Sequence, residues 1–311
     1  MRPIIPEFLS FLLLLTLCTT SRAQTNSSGI DVLPHWQKND THKVKLKTTT
    51  TDIDAGDHTQ KTYISTFEAT FTVLSANAEG YTIAWTYTNA NLDKNEPVLE
   101  SQTTALLVNV KMILSLSNTG KILELVNADE VKTAADKQLA QYAAGKTPNE
   151  DWEIRYKTIK QMLSTTLGIR LAFLKQIEFY NHLFGYNYQL HHVQTRHLKF
   201  PNPMGGQPFD AIEKTDLTRL DKSRSVCTIE ASKTVEGNTL KQAVIDYMLQ
   251  VIKLDPKIVD NGVSNAEMAL SEKIKQEFDF SKGIPQHFSF ERKISLSFLN
   301  RTSVLDITTI N

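Results

Sequence analysis

Residues 80–89, which read GYTIAWTYTN, are the stretch that decides the fold. Large apolar side chains occupy alternate positions, and most of the positions between them hold threonine. The apolar set is Tyr81, Ile83, Trp85 and Tyr87. Because successive side chains of a strand point to opposite faces, this period of two predicts a strand with one face on the core and the other in water.

The same pattern continues on both sides of residues 80–89 and returns towards the end of the chain. It predicts further strands over residues 41–51, 61–75, 102–116, 121–126, 186–199, 211–220 and 223–234. Two closing strands follow, one built on Phe288, Phe290, Ile294, Leu296 and Phe298 and the other on Leu305 and Ile307. Alternation with one polar face throughout predicts a large antiparallel sheet.

A helical block separates the two groups of strands. Residues 129–144 end at Gly145, a residue that favours helix termination. Thr147-Pro148-Asn149-Glu150 then combines a threonine cap, a proline at the first helical position and a capping-box glutamate. A stripe of core-facing residues continues to Tyr180, which predicts one unusually long helix that bends at Gly168.

Two more helices are predicted in the second half, over residues 240–253 and, after the capping box Ser264-Asn265-Ala266-Glu267, over residues 264–278. Strands and helices come in runs and do not alternate one by one, so the order favours an α+β fold over a doubly wound α/β fold. We expect one domain over residues 24–311, with a curved antiparallel sheet in two parts, 41–126 and 186–311, joined by helices over 128–181.

The first 23 residues have the organisation of a secretory signal peptide. Arg2 precedes an apolar run of about ten residues, which is too short for the roughly 20 that a membrane span needs. Ser21-Arg22-Ala23 then places small residues at the cleavage positions. Cys18 follows Leu17, which fits a lipidation signal poorly. The sequence therefore predicts an exported protein, periplasmic or extracellular, without a lipid anchor.

Charge and cysteine content exclude some classes of partner and of covalent cross-link. Cleavage removes Arg2, Arg22 and Glu7 from 34 basic and 34 acidic residues, which leaves 32 and 33. No global basic field remains to attract nucleic acid. Cys227 is the one cysteine left, so an internal disulfide is excluded and the thiol is expected to be a buried small hydrophobe.

Four histidines, His182, His191, His192 and His197, lie within sixteen residues. A strand over 186–199 would turn His191 and His192 to opposite faces and hold His191 about 20 Å from His197, at roughly 3.3 Å per residue. Zinc ligands lie about 2 Å from the metal, so no metal site is predicted. The acidic stretch Asp52–Asp57 lacks the glycine and glutamate spacing of a calcium loop and is expected to be a turn. No cofactor signature is found.

An aromatic platform is the remaining candidate site. Tyr81, Trp85 and Tyr87 share one strand face, and Trp152 lies in the helix expected to cover it. Such a set either contacts a ligand or belongs to the core, and the strand pattern by itself favours the core.

One loop carries a family resemblance. The Ala23-Gln24 signal end, the lack of disulfides and the loop Phe200-Pro201-Asn202-Pro203-Met204-Gly205-Gly206 resemble uncharacterised exported proteins of Bacteroidota. The resemblance implies an envelope compartment and brings no functional residues. A curved antiparallel sheet with helices on one side is also similar, at the level of fold, to the half-barrel carriers of lipoproteins and lipids.

Three functions follow as hypotheses. The first is a non-enzymatic envelope protein whose concave sheet, covered by the helix from Thr147 to Tyr180, binds an apolar, lipid-like molecule. The alternative is a structural module that docks another envelope protein through an apolar patch. The third is a hydrolase with a dispersed site that gathers His191 or His192 with carboxylates.

Overall fold

The computed structural model describes residues 29–93, 99–144, 150–200, 208–235, 237–250, 259, 268–296 and 299–310. Outside them lie the signal segment with Cys18, the motif over 145–149, the loop over 201–206, Ser264-Asn265-Ala266-Glu267 and Phe298.

The described residues form the following elements. The strands are β1 (Gly29–Val32), β2 (Thr41–Asp54), β3 (Gln60–Asn77), β4 (Gly80–Asn91), β5 (Lys111–Ser117), β6 (Ile122–Leu125), β7 (Tyr186–Gln189), β8 (Gln194–Phe200), β9 (Phe209–Asp221), β10 (Val226–Val235), β11 (Ala269–Asp279), β12 (Ile284–Ser295) and β13 (Leu299–Ile310). The helices are α1 (Leu99–Ala105), α2 (Ala128–Ala144), α3 (Glu150–Met162), α4 (Thr166–Phe173), α5 (Lys175–Tyr180) and α6 (Gly237–Gln250).

Eleven strands form one sheet in the order β6-β5-β4-β3-β2-β13-β12-β11-β10-β9-β8. Every neighbouring pair in it is antiparallel. β1 and β7 form a separate two-stranded ribbon. The α+β class that the order of runs predicts is therefore confirmed, with one large antiparallel sheet and a few helices.

Of the strands in the large sheet, β2 comes first along the chain and β13 comes last, and these two strands pair with each other. The register runs from Leu299 opposite Asp54 to Ile310 opposite Lys43. Within it, Arg301 donates Nε to Oδ1 of Asp52 at 2.6 Å and Nη2 to Oδ2 at 2.7 Å. A bidentate ion pair of this kind fixes the orientation of the two side chains and adds electrostatic attraction between the two strands. The pairing joins the strands before the helical block and those after it into one sheet.

The helices lie on one face of the sheet, called the inner face here, and they bury two hydrophobic clusters on it. The first cluster lies under α2, α3, α4 and α5 and includes Phe67, Trp85, Leu114, Ile177, Tyr180, Phe278 and Phe288. The second cluster lies under α6 and includes Phe200, Phe209, Val235, Leu240, Val244 and Leu270. The two clusters together use the apolar positions of almost every strand.

The strand predicted over residues 102–116 is wrong in its first half. α1 extends to Ala105, and β5 begins only at Lys111. Leu106 and Leu107 are consecutive and both buried, which a strand with one wet face does not allow. Asn109 turns the chain with a φ of 63° and donates its N–H to the Tyr87 carbonyl at 2.7 Å.

The single long helix predicted up to Tyr180 is three helices, α3, α4 and α5. The first break follows Met162, and Thr165 caps α4 by accepting the Gly168 N–H at 3.0 Å. A Cβ on Gly168 would lie 2.0 Å from the Met162 carbonyl oxygen. Gly168 therefore permits a close return of the chain at the break and does not merely bend a continuous helix.

The helix predicted over residues 264–278 is wrong, because residues 269–279 form β11, an internal strand of the large sheet. Leu270, Ile274 and Phe278 are spaced by four, as in a helical stripe, but all three face the inner side of the sheet. The inward positions between them hold Glu272 and Gln276, which are also buried. Polar residues at inward positions therefore conceal the period of two.

The strand predicted over residues 186–199 is interrupted. β7 and β8 are separate, and His191 stands between them with a φ of 57°. β7 pairs with β1 and not with the large sheet's edge. At this turn the chain passes from the two-stranded ribbon to the large sheet. The alternating pattern of residues 186–199 is the same on both sides of the turn, so it does not reveal the interruption.

We predict that Gly168→Ala destabilises the protein by about 1 to 3 kcal/mol, because the added methyl group meets a backbone oxygen that cannot rotate away. Gly56→Ala is the matched control, since Gly56 lies in an exposed turn and its added Cβ meets only a side-chain oxygen of Asp54 at 3.2 Å. Urea unfolding followed by circular dichroism measures both. Equal midpoints for the two variants would contradict this role of Gly168.

Candidate ligand-binding groove

A row of charged side chains crosses the inner face of β8 to β12. Its members are Arg196, Glu213, Lys233, Glu272 and Arg292, called the charged ladder here. Each lies directly opposite the next in the strand register. The signs alternate along the row. The next two positions, on β13 and β2, hold the uncharged Ser303 and Thr50.

Close ion pairs connect the whole ladder. Arg196 donates to Glu213, and Lys233 Nζ lies 3.8 Å from Oε2 of Glu213 and 3.1 Å from Oε2 of Glu272. Arg292 donates Nε to Oε1 of Glu272 at 2.8 Å. Both carboxylates are buried, with 2% and 4% of their surface exposed. Directly opposed unlike charges stabilise strand pairing, and here they also compensate each other away from water.

His182, just after α5, adds a contact to this network. Its Nε2 lies 3.4 Å from Oε2 of Glu213. Burial opposes ionisation of Glu213, but the adjacent His182, followed by the charges of Arg196 and Lys233, outweighs this effect and lowers the pKa of Glu213 to about 2. Glu213 is therefore ionised at neutral pH.

The charged ladder lies between the two hydrophobic clusters. On β10, Ala231 belongs to the first cluster and Val235 to the second, and Lys233 stands between them. On β11, Ile274 and Leu270 flank Glu272 in the same way. Because side chains two apart share a strand face, each of these strands presents apolar, charged and apolar groups in turn. The ladder is therefore a polar band where the helix layer divides.

A cavity of about 410 Å³ lies at the β8 end of the ladder. Arg196, Glu213 and Lys233 line it from the sheet. The other side is formed by residues from the start of β6 and the turn before it, from α4 and α5, and from the chain between α5 and the start of β7. Among them are Lys121, Arg170, Glu178, His182 and Tyr186. Two cations lie close to one aromatic ring, since Lys121 Nζ and Arg196 Cζ are each 4.5 Å from the centroid of the Tyr186 ring.

A second cavity, of about 170 Å³, lies at the other end of the ladder. It is more apolar, with Phe179, Phe290, Ile294, Val304 and Leu305 in its lining, together with Lys175, Arg292 and Arg301. Phe179 of α5 stacks on Phe290 with centroids 4.3 Å apart. Thr50 also lines this cavity, and its fully buried hydroxyl has no hydrogen-bond partner among the described residues.

α5 and its extension contribute to both cavities, through Lys175 and Phe179 on one side and Glu178 and His182 on the other. We call the ladder and the two cavities the groove. Its floor is charged, its far end is aromatic and aliphatic, and its excess charge is positive. This chemistry suits a molecule that has both an apolar part and a polar or anionic part.

The aromatic platform lies elsewhere, in the first cluster. Trp85 is 0% exposed and packs edge to face on Tyr180 at 5.8 Å. Tyr87 is also buried and donates its hydroxyl to Oε1 of Gln176 at 3.0 Å. Tyr81 is half-buried and donates to the Pro34 carbonyl at 3.1 Å. These contacts are those of core residues.

Trp152 lies in α3, and its side chain falls outside what the structure describes. A ligand platform of Trp152 with Tyr81, Trp85 and Tyr87 stays a prediction.

The histidine cluster is dispersed. His191 and His192 are exposed in the turn between β7 and β8, whereas His182 and His197 line the larger cavity. Among the described residues, no group of three or more histidine, cysteine, aspartate or glutamate side chains is placed to hold a metal ion. The lining of the larger cavity, as far as it is described, contains no serine, threonine or cysteine beside the His182–Glu213 pair.

Two further predictions are resolved by direct contacts. Asp52 binds Arg301, and Asp54 accepts the Gly56 N–H at 2.7 Å, so the acidic stretch is a hairpin turn. Cys227 is fully buried in the first cluster, and burial raises the pKa of its thiol to about 12. The prediction that Cys227 is a buried small hydrophobe is confirmed.

Sequence reasoning missed the ladder. Its signal is a charged residue with apolar residues two positions away on both sides, as in Leu270-x-Glu272-x-Ile274. That signal becomes specific only when several strands are aligned in register, because opposite charges then fall side by side.

No family model matches the chain, and no curated protein does. Solved structures give distant similarities. A structure described as lipid–protein interactions in lipovitellin aligns with 89% of this chain at 9% identity and a TM-score of 0.42, and this chain spans only 26% of it. A loop-deletion mutant of OmpT, an outer membrane protein of Vibrio cholerae, aligns with 88% of this chain and 100% of its own at 7% identity and a TM-score of 0.23. Similarities at this level carry no functional conclusion.

In the described part of the chain, no helix is both long enough and apolar enough to cross a membrane.

We predict that Glu213→Gln destabilises the protein by about 3 kcal/mol at pH 7, because it leaves buried cations without their counter-charge. The folded pKa of about 2 lies below the ordinary value of 4.5, so the carboxylate contributes stability above pH 4.5 that is lost as the pH falls towards 2. Urea unfolding should therefore show similar differences between wild type and variant at pH 7 and 5 and a smaller difference at pH 3.

The control for this prediction is Glu230→Gln. Glu230 is 47% exposed on the outer face and pairs with Lys275 at 3.3 Å. An exposed pair contributes about 0 to 1 kcal/mol, so this variant should stay near wild type. A Glu213→Gln variant as stable as Glu230→Gln at pH 7 would show that the ladder does not hold the sheet.

Proposed function

We propose that this is an exported, non-enzymatic binding protein whose groove holds an amphiphilic, lipid-like molecule. The observation that carries the proposal is the division of the inner face. Two hydrophobic clusters are covered by separate helices, and a partly apolar groove with a charged floor lies between them.

The groove replaces the concave surface that the sequence suggested as the ligand site. Around Trp85 and Tyr87 the inner face is filled by helix side chains. The smaller cavity lies beside Phe179, Phe290 and Leu305, which are apolar, and Arg292 of the ladder also lines it. An apolar chain laid there would cover these groups, and a polar group on the ligand would reach the Thr50 hydroxyl or the ladder.

The Thr50 hydroxyl, for which the described residues offer no hydrogen-bond partner, supports a ligand at this end of the groove. A buried polar group without a hydrogen bond costs about 1 to 3 kcal/mol. Such a cost is tolerated where a ligand or ordered water supplies the missing partner. Thr50 lines the smaller cavity and is fully buried, so a bound molecule there would satisfy it.

Export is part of the proposal and rests on the sequence. The organisation of residues 1–23 as a signal peptide supports it. An amphiphile is poorly soluble in water, so a protein that carries one through the envelope needs a groove that shields its apolar part from water.

The alternative function is a module that docks another envelope protein. A partner segment lying in the groove would use the same apolar and charged groups. Binding of a small apolar probe distinguishes the two, because a protein-docking surface has no need of an enclosed apolar site.

We predict that the mature protein binds N-phenyl-1-naphthylamine, a neutral fluorescent probe of apolar sites, and that Ser303→Phe weakens this binding about tenfold or more. Ser303 lies on the inner face in the smaller cavity, opposite Arg292. A phenyl group there would occupy a space of about 170 Å³. Fluorescence titration measures the dissociation constant.

Ser289→Phe is the matched control, since Ser289 lies on the neighbouring strand β12 but on the outer face. Its binding should equal that of wild type. Probe binding that is absent from wild type, or equally weakened by both substitutions, would reject the groove as an apolar ligand site. Native mass spectrometry of protein purified gently from its own host would then test for a second polypeptide.

A further inference from the structure

We propose that the larger cavity at the β8 end of the ladder binds the anionic headgroup, phosphate or carboxylate, of the amphiphile whose chain lies along the groove. This inference rests on the proposed function and adds the chemical class of the ligand. The charge balance of the cavity differs from that of the whole chain.

Cations exceed carboxylates in this cavity. As far as it is described, its lining holds four lysine and arginine side chains, Lys121, Arg170, Arg196 and Lys233, against two carboxylates, Glu178 and Glu213. Lys233 also contacts Glu272, and with that carboxylate counted the cations still exceed the anions by one. Both histidines of the lining would add to the excess when protonated. The full chain has 34 basic and 34 acidic residues, so the excess is local.

The carboxylates of the cavity are already occupied. Glu178 accepts from Arg170 at 2.7 Å, and Glu213 is shared by Arg196, His182 and Lys233. Lys121 has no ion-pair partner among the described residues. An anion that enters the cavity therefore meets one uncommitted ammonium group and the outward edges of two arginines.

The fold holds Lys121 at the cavity. Gly185 has a φ of +84°, and a Cβ on it would lie 3.1 Å from Cε of Lys121. The lysine stem therefore packs along the backbone before β7, where a side chain would displace it. Its ammonium then lies 4.5 Å from the Tyr186 ring, the same distance as the Arg196 guanidinium. The Tyr186 ring therefore holds both cations beside the same part of the cavity, and it does not neutralise the charge of either.

The position of the cavity fits a headgroup with a chain attached. The ladder leads from this cavity to the smaller, apolar one across β10, β11, β12 and β13. Neighbouring strands are about 4.8 Å apart, so the distance along the sheet is about 14 Å. A single alkyl chain of moderate length spans it, whereas a free anion would leave the apolar end empty.

The test compares ligands that share a ten-carbon chain but differ in headgroup. Decyl phosphate, decanoate and neutral decyl maltoside, each below its critical micelle concentration, are titrated against N-phenyl-1-naphthylamine bound to the mature protein. Inorganic phosphate alone forms a fourth arm. We expect both anionic amphiphiles to displace the probe at concentrations about tenfold lower than decyl maltoside, and inorganic phosphate to displace none.

Lys121→Met should reduce this tenfold preference to about threefold or less without changing displacement by decyl maltoside. Lys160→Met is the matched control, because Lys160 also lies near an aromatic ring, 5.9 Å from that of Tyr156, but is exposed on α3 and does not line the cavity. It should keep the full preference. In wild type, 0.5 M NaCl should also weaken the preference, since a contact with an exposed ammonium is screened.

The outcomes separate the inference from the function it rests on. If the probe binds and all three amphiphiles displace it equally, the anionic headgroup is rejected while the apolar groove stands. If inorganic phosphate acts as well as decyl phosphate, the cavity takes a free anion and the headgroup assignment is overturned. If the probe does not bind at all, the proposed function itself fails.

Discussion

The pairing of β2 with β13 is the interaction on which the rest of the structure depends. It brings together residues about as far apart as the described chain allows, and the Arg301–Asp52 ion pair reinforces it. Closing so long a loop costs entropy before any contact is gained, so the pairing is stable only with the core that forms around it. Tyr180 contributes to that core, because its hydroxyl bonds Thr309 on β13 while its ring packs on Trp85 of β4. One helix thereby holds both halves of the sheet.

The charged ladder sets a second constraint, which is where the helices can lie. Burying ions in a sheet face costs free energy unless each one is paired and hydrogen-bonded, and register supplies the partners here. Helices with apolar faces pack on either side of the ladder and leave it as the floor of a groove. Hydrophobic residues at the same five positions would have merged the two clusters into one filled core. The polar band is therefore the physical reason that the inner face has space to bind anything.

The ladder also explains where sequence reasoning failed. Glu272 and Gln276 occupy inward positions of β11, so the apolar residues that remain are spaced by four and imitate a helix. In α4, the break depends on one hydrogen bond from Gly168 to Thr165 and on the close approach of Met162. Neither feature alters the apolar stripe that runs through the segment. Periodicity reports which side of an element is apolar, and it fails where the protein places charge inside or turns between two apolar runs.

The sequence by itself determined the α+β class, most strands, the burial of Cys227 and the polar turn at Asp54, because each depends on neighbours within a few residues. It left the site undetermined. The tertiary structure alone decided that Arg196, Glu213, Lys233, Glu272 and Arg292 form one row, since these residues come from five strands and meet only through register. It also decided that Trp85 and Tyr87 are core and that the groove lies elsewhere. The physical reason is that charge pairing and cavity formation depend on contacts between distant segments, which local patterns of hydrophobicity do not contain.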